Sequence, residues 1–174
     1  MKKTLIASLC GLLSACAAPD IQFYKNAEPK LDLANYFVGT THAWGMFQKR
    51  SGEVVKRFNV EITGTQNQGK ITLDERFKYD DGSTQQRIWT LTPQPDGTWR
   101  GTAADVKGEA IGEVAGNALH WRYTMLLPVD GKTYEMQFDD WMFLIDKQSM
   151  INRASMSKFG IELGQVTLYF NKKE

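Results

Sequence analysis

The sequence predicts an all-β fold, an antiparallel up-and-down barrel of about ten strands. Three observations lead there. Apolar and polar residues alternate over long stretches: Val54, Phe58, Val60 and Ile62 share one parity, with Arg57, Asn59 and Glu61 on the other. Ile71, Leu73, Phe77 and Tyr79 then alternate with Thr72, Asp74, Arg76 and Lys78. Period two at that length marks half-buried strands. Second, turn residues that tolerate positive φ separate the runs, at Ser51-Gly52, 64–69, Asp80-Asp81-Gly82, Pro95-Asp96-Gly97, Gly116-Asn117 and Asp130-Gly131. Third, no amphipathic helix of ordinary length interrupts them. A meander this long leaves edges exposed unless it closes on itself. A two-sheet sandwich is the alternative.

Composition bounds the function. A chain of 174 residues suits one domain, and 42% hydrophobic with 11% aromatic residues argues against disorder. Twenty-one Lys and Arg against 20 Asp and Glu leave a formal charge of +1. So neutral a surface does not grip a polyanion, which excludes nucleic acid as a partner class. No apolar run approaches the roughly 20 residues of a membrane-crossing helix.

The N-terminus reads as an address. Met1-Lys2-Lys3 is basic, Leu5 to Leu13 is apolar, and small residues follow. That is the pattern of a secretory signal. Leu13-Ser14-Ala15-Cys16 resembles the bacterial lipobox, which implies cleavage before Cys16, a thioether-linked diacylglycerol on its sulfur and acylation of the new amine. Residues 1–15 are then a signal peptide, 16–30 a lipidated N-terminus and tether, and 31–174 a single barrel domain. The tether carries Pro19 and Pro29 and shows no alternation; one helical turn is expected around Leu31–Phe37. Ala17, where Asp would signal inner-membrane retention, points to the outer membrane with the domain on its periplasmic face. Cys10 leaves with the signal and Cys16 is taken by lipid, so no thiol remains for a disulfide, a metal or catalysis.

The remaining motifs sort by what their chemistry requires. Residues 64–70 imitate the start of a phosphate loop, but Ile71 stands where a hydroxyl should hold magnesium, and a strand follows instead of a helix. It reads as a hairpin. His42 and His120, the two histidines, lie far apart, so no metal site and no cofactor is expected. No serine-hydrolase signature appears; His120 is the best candidate for a catalytic base if there is one.

The unusual residues lie toward the C-terminus. Tyr134, Met136 and Phe138 set one parity, while Trp141, Phe143 and Ile145 set the other. The phase slips across Asp139-Asp140, which predicts a β-bulge there, or a carboxylate at a cavity mouth. Arg122 and Arg153, the latter next to Asn152, bring guanidinium groups whose burial would demand a carboxylate or a ligand anion. Asp139, Asp140 and a fatty-acid carboxylate are the possible partners, and Glu75 is the odd polar member of the Ile71–Tyr79 apolar face. The five tryptophans are many for this length. Trp44, Trp121 and Trp141 join Tyr134 as candidate pocket liners, although core packing explains them equally.

Two resemblances follow from these residues. Ala43-Trp44-Gly45-Met46-Phe47-Gln48, residues 116–123, the run from Phe138 to Asp146, Ile151-Asn152-Arg153-Ala154 and residues 156–160 resemble the proteobacterial lipoprotein family called domain of unknown function 3833. The resemblance spans nearly all of the mature chain and implies an envelope lipoprotein. More distantly, Asn35-Tyr36-Phe37-Val38-Gly39 followed by Trp44 resembles the opening of the lipocalins, with five residues after the glycine instead of two. A barrel of lipocalin or fatty-acid-binding type can enclose a small-molecule cavity.

The expectation is therefore a lipid-anchored, periplasm-facing barrel that binds or carries a hydrophobic ligand, a fatty acyl lipid foremost. Arg122 or Arg153, with Asp139 or Asp140, would select the head group. An enzyme acting on such a lipid and a solid-core envelope interaction protein are the alternatives.

Overall fold

The computed structural model describes residues 19–173. The signal peptide and Cys16 lie outside them. Ten strands follow in chain order: β1 (Gly39–Lys49), β2 (Val54–Asn67), β3 (Lys70–Tyr79), β4 (Thr84–Pro93), β5 (Trp99–Thr102), β6 (Ala110–Ala115), β7 (Ala118–Val129), β8 (Lys132–Leu144), β9 (Ser149–Lys158) and β10 (Ile161–Lys172). Each pairs antiparallel with its sequence neighbours, and β1 pairs with β10 from Thr41↔Lys172 to Lys49↔Gly164, closing the barrel. The sandwich is excluded. Closure leaves no unpaired edge.

The turns are as tight as their residues allow. Gln68-Gly69, Asp130-Gly131 and Phe159-Gly160 each place two successive residues at positive φ, the geometry that follows strand twist in a two-residue hairpin. The phosphate-loop imitation is the last part of β2 and the first of these turns.

Alternate strand directions sort the connections onto two ends. One end holds 68–69, 94–98, 116–117 and 145–148 and is plugged by α1 (Leu33–Phe37). Asp32 caps this helix, accepting from the Asn35 amide at 2.9 Å. Leu33, Tyr36 and Phe37 are buried beneath it. The Lys172 ammonium ties the plug down by donating to the carbonyls of Tyr36 at 2.8 Å and Val38 at 2.6 Å. Gly64 makes the seat possible, since a Cβ there would lie 1.8 Å from the Phe37 carbonyl oxygen. The other end, with connections 50–53, 80–83, 103–109, 130–131 and 159–160, carries no helix among the described residues.

The stretch 16–30, expected as a tether, is described from Pro19 onward, and part of it packs on the barrel. A 3-10 turn (Ile21–Tyr24), capped by Asp20, buries Ile21 against Ala115 and Ala118, and the Leu31 amide donates to the Gly116 carbonyl at 2.8 Å. One sequence expectation needs correction: the Asp139-Asp140 bulge is absent. The β7–β8 register runs unbroken from Ala118↔Phe143 to Val129↔Lys132. Trp141 and Phe143 simply face outward, and the Tyr24 ring covers them at 6.0 and 5.1 Å between centroids. The apolar phase slips because a second element buries the outer face, not because the strand does. The register shifts occur instead at Phe47/Gln48 against β2 and at Glu162/Gly164 on β10, both toward the open end.

Candidate functional site

Inward-facing side chains do not fill the barrel. They surround a cavity of about 510 Å³ lined by Phe58, Phe77, Trp89, Tyr123, Met125 and Phe138, among others. This lies in the range of roughly 300–1,000 Å³ typical of small-molecule pockets. Phe37 of the plug and Leu91, Leu119 and Phe170 line it toward the closed end. Lys56, Tyr79, Gln85 and Val129 lie toward the open end, where Phe159 stands 89% exposed at a hairpin tip.

Trp121 shapes the cavity through what is missing opposite it. It faces Gly112 across β6–β7, with Gly101 on β5 alongside. A Cβ at Gly101 would lie 2.3 Å from the Trp121 ring, and one at Gly112 only 2.2 Å away. The two glycines form a slot in which the indole lies flat, and Trp89 packs edge-on against it at 5.7 Å.

A polar cluster interrupts this apolar wall midway along the strands. Glu75 and Arg87 are cross-strand partners on β3 and β4. Arg87, with its side chain 13% exposed, sends Nε to both oxygens of Asp105 at 3.1 and 2.9 Å and Nη2 to Oδ2 at 2.9 Å. Its Nη1 lies 3.8 Å from Glu75, and Nη2 reaches the Met125 sulfur at 3.6 Å. Burial alone would lower the guanidinium pKa, but the hydrogen bond to Asp105 and the charge of Glu75 outweigh it. On β7 and β8, the Tyr123 hydroxyl donates to Asp140 Oδ2 at 3.4 Å, while Asp140 Oδ1 is buried with no partner. Asp140 is 7% exposed. Burial pushes its carboxyl up to about 8, against the hydrogen bond from Tyr123 and with the charge of Asp139 adding to the rise. Burial likewise raises Glu75 to about 7, with Arg87 opposing and Asp105 adding. Asn152, one diagonal step from Asp140 in the ladder, donates only a long bond of 3.4 Å to the Trp141 carbonyl.

The structure thus brings Asp140, Asn152 and Trp121 of the sequence candidates into the cavity. It places the others elsewhere. Neither Arg122 nor Arg153 is the buried guanidinium: both point outward, Arg122 donating to Glu113 at 2.7 Å and Arg153 to Gln165 at 3.1 Å. Asp139, on the opposite parity to Asp140, sits 3.0 Å from Nε2 of His120, whose ring stacks on Trp141 at 4.1 Å. This trio lies on the outer face, so His120 reaches nothing held inside the barrel. Trp44 is 51% exposed and stacks on Tyr169, its cross-strand partner. Tyr134 stands near the open end beneath the Lys158 ammonium, 4.1 Å from its ring centroid.

Arg87, Asp105 and Tyr123 escaped the sequence reading. On β4 the apolar Ile88 faces solvent while Gln85 and Arg87 face inward, so the alternation there is inverted. Glu75 carried a signal, as the one acid on an apolar face. Among the described residues, no three His, Cys, Asp or Glu side chains converge to hold a metal ion.

Comparison with known proteins adds family and fold. The model of the family described as protein of unknown function DUF3833 matches residues 10–172. The chain belongs to that family. No curated protein sequence matches it. Among solved structures, this DUF3833 chain resembles the S-type phycobiliprotein lyase CPES from Guillardia theta, with a TM-score of 0.61 at 6% identity over 90% of this chain and 99% of that one. EF1p2_mFAP2b, solved bound to DFHBI, superposes with a TM-score of 0.45 at 9% identity over 80% of this chain and 96% of that one. At such identity the likeness to the lyase establishes a shared lipocalin-like barrel and nothing finer.

Proposed function

We propose that this protein is a lipid-anchored envelope barrel that binds or carries a hydrophobic small molecule, a fatty acyl lipid foremost, with its chain buried in the barrel. The observation that carries the reading is the apolar cavity of about 510 Å³, open at one end and plugged by α1 at the other. Burying some 300 Å² of ligand surface at about 25 cal/mol per Å² supplies roughly 7 kcal/mol before ordering costs. Aromatic rings and Met125, Met142 and Met156 give the wall both bulk and adaptability. Anchoring rests on Leu13-Ser14-Ala15-Cys16, and an outer-membrane, periplasm-facing position on Ala17. Two or three acyl chains at Cys16 would hold firmly where one holds marginally.

Native mass spectrometry of the protein, gently extracted from its own membranes, tests the reading. A noncovalent adduct of lipid mass is expected, separate from the covalent increment at Cys16. A protein that carries no adduct and takes up no added acyl compound contradicts it.

A further inference from the structure

The outer wall of the barrel differs from side to side. On β2 and β3 it presents Arg57, Glu61, Asp74, Arg76 and Lys78, a charged and solvated face. Across β8, β9, β10 and β1 runs a row of large apolar side chains instead: Phe143, Ile151, Tyr169 and Trp44 are successive cross-strand partners. Trp44 is 51% exposed, Tyr169 39% and Ile151 37%, and the Trp44 and Tyr169 rings stack at 6.1 Å. With strands about 4.8 Å apart, the row is roughly 14 Å long. Exposed apolar residues gathered in this way mark an interaction surface. We infer that this belt lies on the lipid bilayer that holds the anchor proposed at Cys16, on which this reading rests, with the barrel lying on its β9–β10 side.

The position of the N-terminus selects the occupant. The Tyr24 ring covers the Phe143 end of the row at 5.1 Å, and Phe23 beside it is 84% exposed. Cys16 stands five peptide steps before Ile21, which is buried against Ala115 and Ala118. The anchor therefore reaches at most about 18 Å from a point fixed on the wall. Acyl chains on so short a leash bring the bilayer to the edge of the belt. Trp and Tyr suit the head-group level, where an apolar ring and a polar tip are both accommodated. Charge agrees with this. Arg153, cross-strand from Trp141, donates to the neutral Gln165 at 3.1 Å and has no carboxylate partner among the described residues. Its guanidinium is left for a lipid phosphate. The closed end is within the same reach, but it exposes Asp96, Asp146, Lys147 and Lys173, which are costly to press into acyl chains. Toward the mouth, β10 continues the apolar surface with Leu163 and Ile161, and Phe159 stands at the hairpin tip. In this pose the rim meets the bilayer, and an apolar ligand passes between them without crossing water.

The test uses the full chain purified from its own membranes and reconstituted into vesicles of phosphatidylethanolamine and phosphatidylglycerol. A phosphatidylcholine brominated high on one acyl chain is included or left out. Emission lost in Trp44→Phe gives the contribution of Trp44. Brominated lipid is expected to quench that contribution about twofold or more, since interfacial side chains sit about 5–10 Å into the boundary of head groups and acyl chains. Ile151→Glu/Tyr169→Glu places two acids in the belt and should abolish the quenching; Ile151→Glu alone should lower it and serves if the double variant does not fold. Ile88→Glu, on the far wall, should leave it unchanged. Circular dichroism identifies the folded variants, and uptake of Nile red, an uncharged fluorescent probe of the apolar cavity, reports separately on ligand binding. Trp44 emission indifferent to bromine, in protein that floats with the vesicles, overturns the inference while the anchor stands, and leaves the belt to a protein partner. Quenching that survives in the folded belt variants, or falls equally in Ile88→Glu, also overturns it. Protein that does not float with the vesicles removes the anchor and this inference together.

Discussion

Arg87 spends its fork on Asp105, at 2.9 and 3.1 Å from Nε, although Glu75 is the residue that faces it across the ladder. The side chain of Asp105 comes from the 103–109 connection at the open end, so an ion pair inside the barrel fixes a loop at its rim. Truncating the cation would strand both acids in the interior. Arg87→Ala is expected to destabilise the protein by about 3–5 kcal/mol, since a charge left unpaired in the interior is costly. Urea unfolding checks this, with Arg57→Ala as the reference. Arg57 pairs with Asp80 on the surface, where such pairs contribute about 0–1 kcal/mol.

The two raised acids set a pH dependence of unusual sign. A carboxyl whose folded pKa exceeds its unfolded value binds its proton more tightly in the native state. Its stabilisation is complete below the unfolded pKa and is lost as pH rises through the folded one. For Asp140 the window runs from 3.8 to about 8. For Glu75 it runs from 4.5 to about 7. Arg87, Asp105, Tyr123 and Asp139 are the charged and titratable groups around them, and they oppose or add to burial without reversing it. The ligand-free protein should lose on the order of a few kcal/mol between pH 5 and pH 9. Exposed Asp80, Asp81, Asp96 and Asp146 are lowered by hydrogen bonds, so their contribution disappears only as pH falls below the ordinary carboxylate range. Urea midpoints across pH 5–9 should therefore fall, and Asp140→Asn should flatten the slope.

The slot for Trp121 gives a prediction about shape. Ala at position 101 or 112 would place a Cβ 2.2–2.3 Å from the indole carbons, and the backbone beneath cannot yield. Gly112→Ala should cost about 1–3 kcal/mol by overpacking and push the ring into the cavity. Tighter probe exclusion and a shifted tryptophan emission are the readouts. Alanine at Gly52, where no atom lies within 4 Å, leaves the cavity untouched and strains only its own turn.

Outer-face residues should be silent in binding. His120→Ala breaks the contact with Asp139 and the stack on Trp141, and its expected cost is about 1 kcal/mol of stability. The Nile red dissociation constant should change less than twofold. A large loss of affinity would place ligand on the outer face instead.

Much of the architecture was legible because a closed meander has few ways to hide its period. The parity of Ile71, Leu73 and Phe77 and the Asp130-Gly131 turn led directly to strands and hairpins. The interior polar residues were harder. Period two says that Arg122 and Tyr123 face opposite ways, but not which of them faces in, and the flanking Trp121 and His120 are both apolar enough to mislead. At Asp139-Asp140 two buried faces read as one slipping strand, because the cover came from Tyr24, more than a hundred positions away. Arg87 was invisible for a different reason: Ile88 beside it faces solvent, and alternation alone assigns the apolar residue to the core.

The central claim is that an apolar ligand lies within the barrel, against Trp89 and Trp121. Contact quenching of tryptophan fluorescence by an alkyl alcohol brominated along its chain tests it most directly. Saturable quenching is expected in the native protein and should vanish in Trp89→Phe/Trp121→Phe, which keeps Trp44, Trp99 and Trp141. Quenching of equal depth in that double variant, or none in the native protein, would contradict the account.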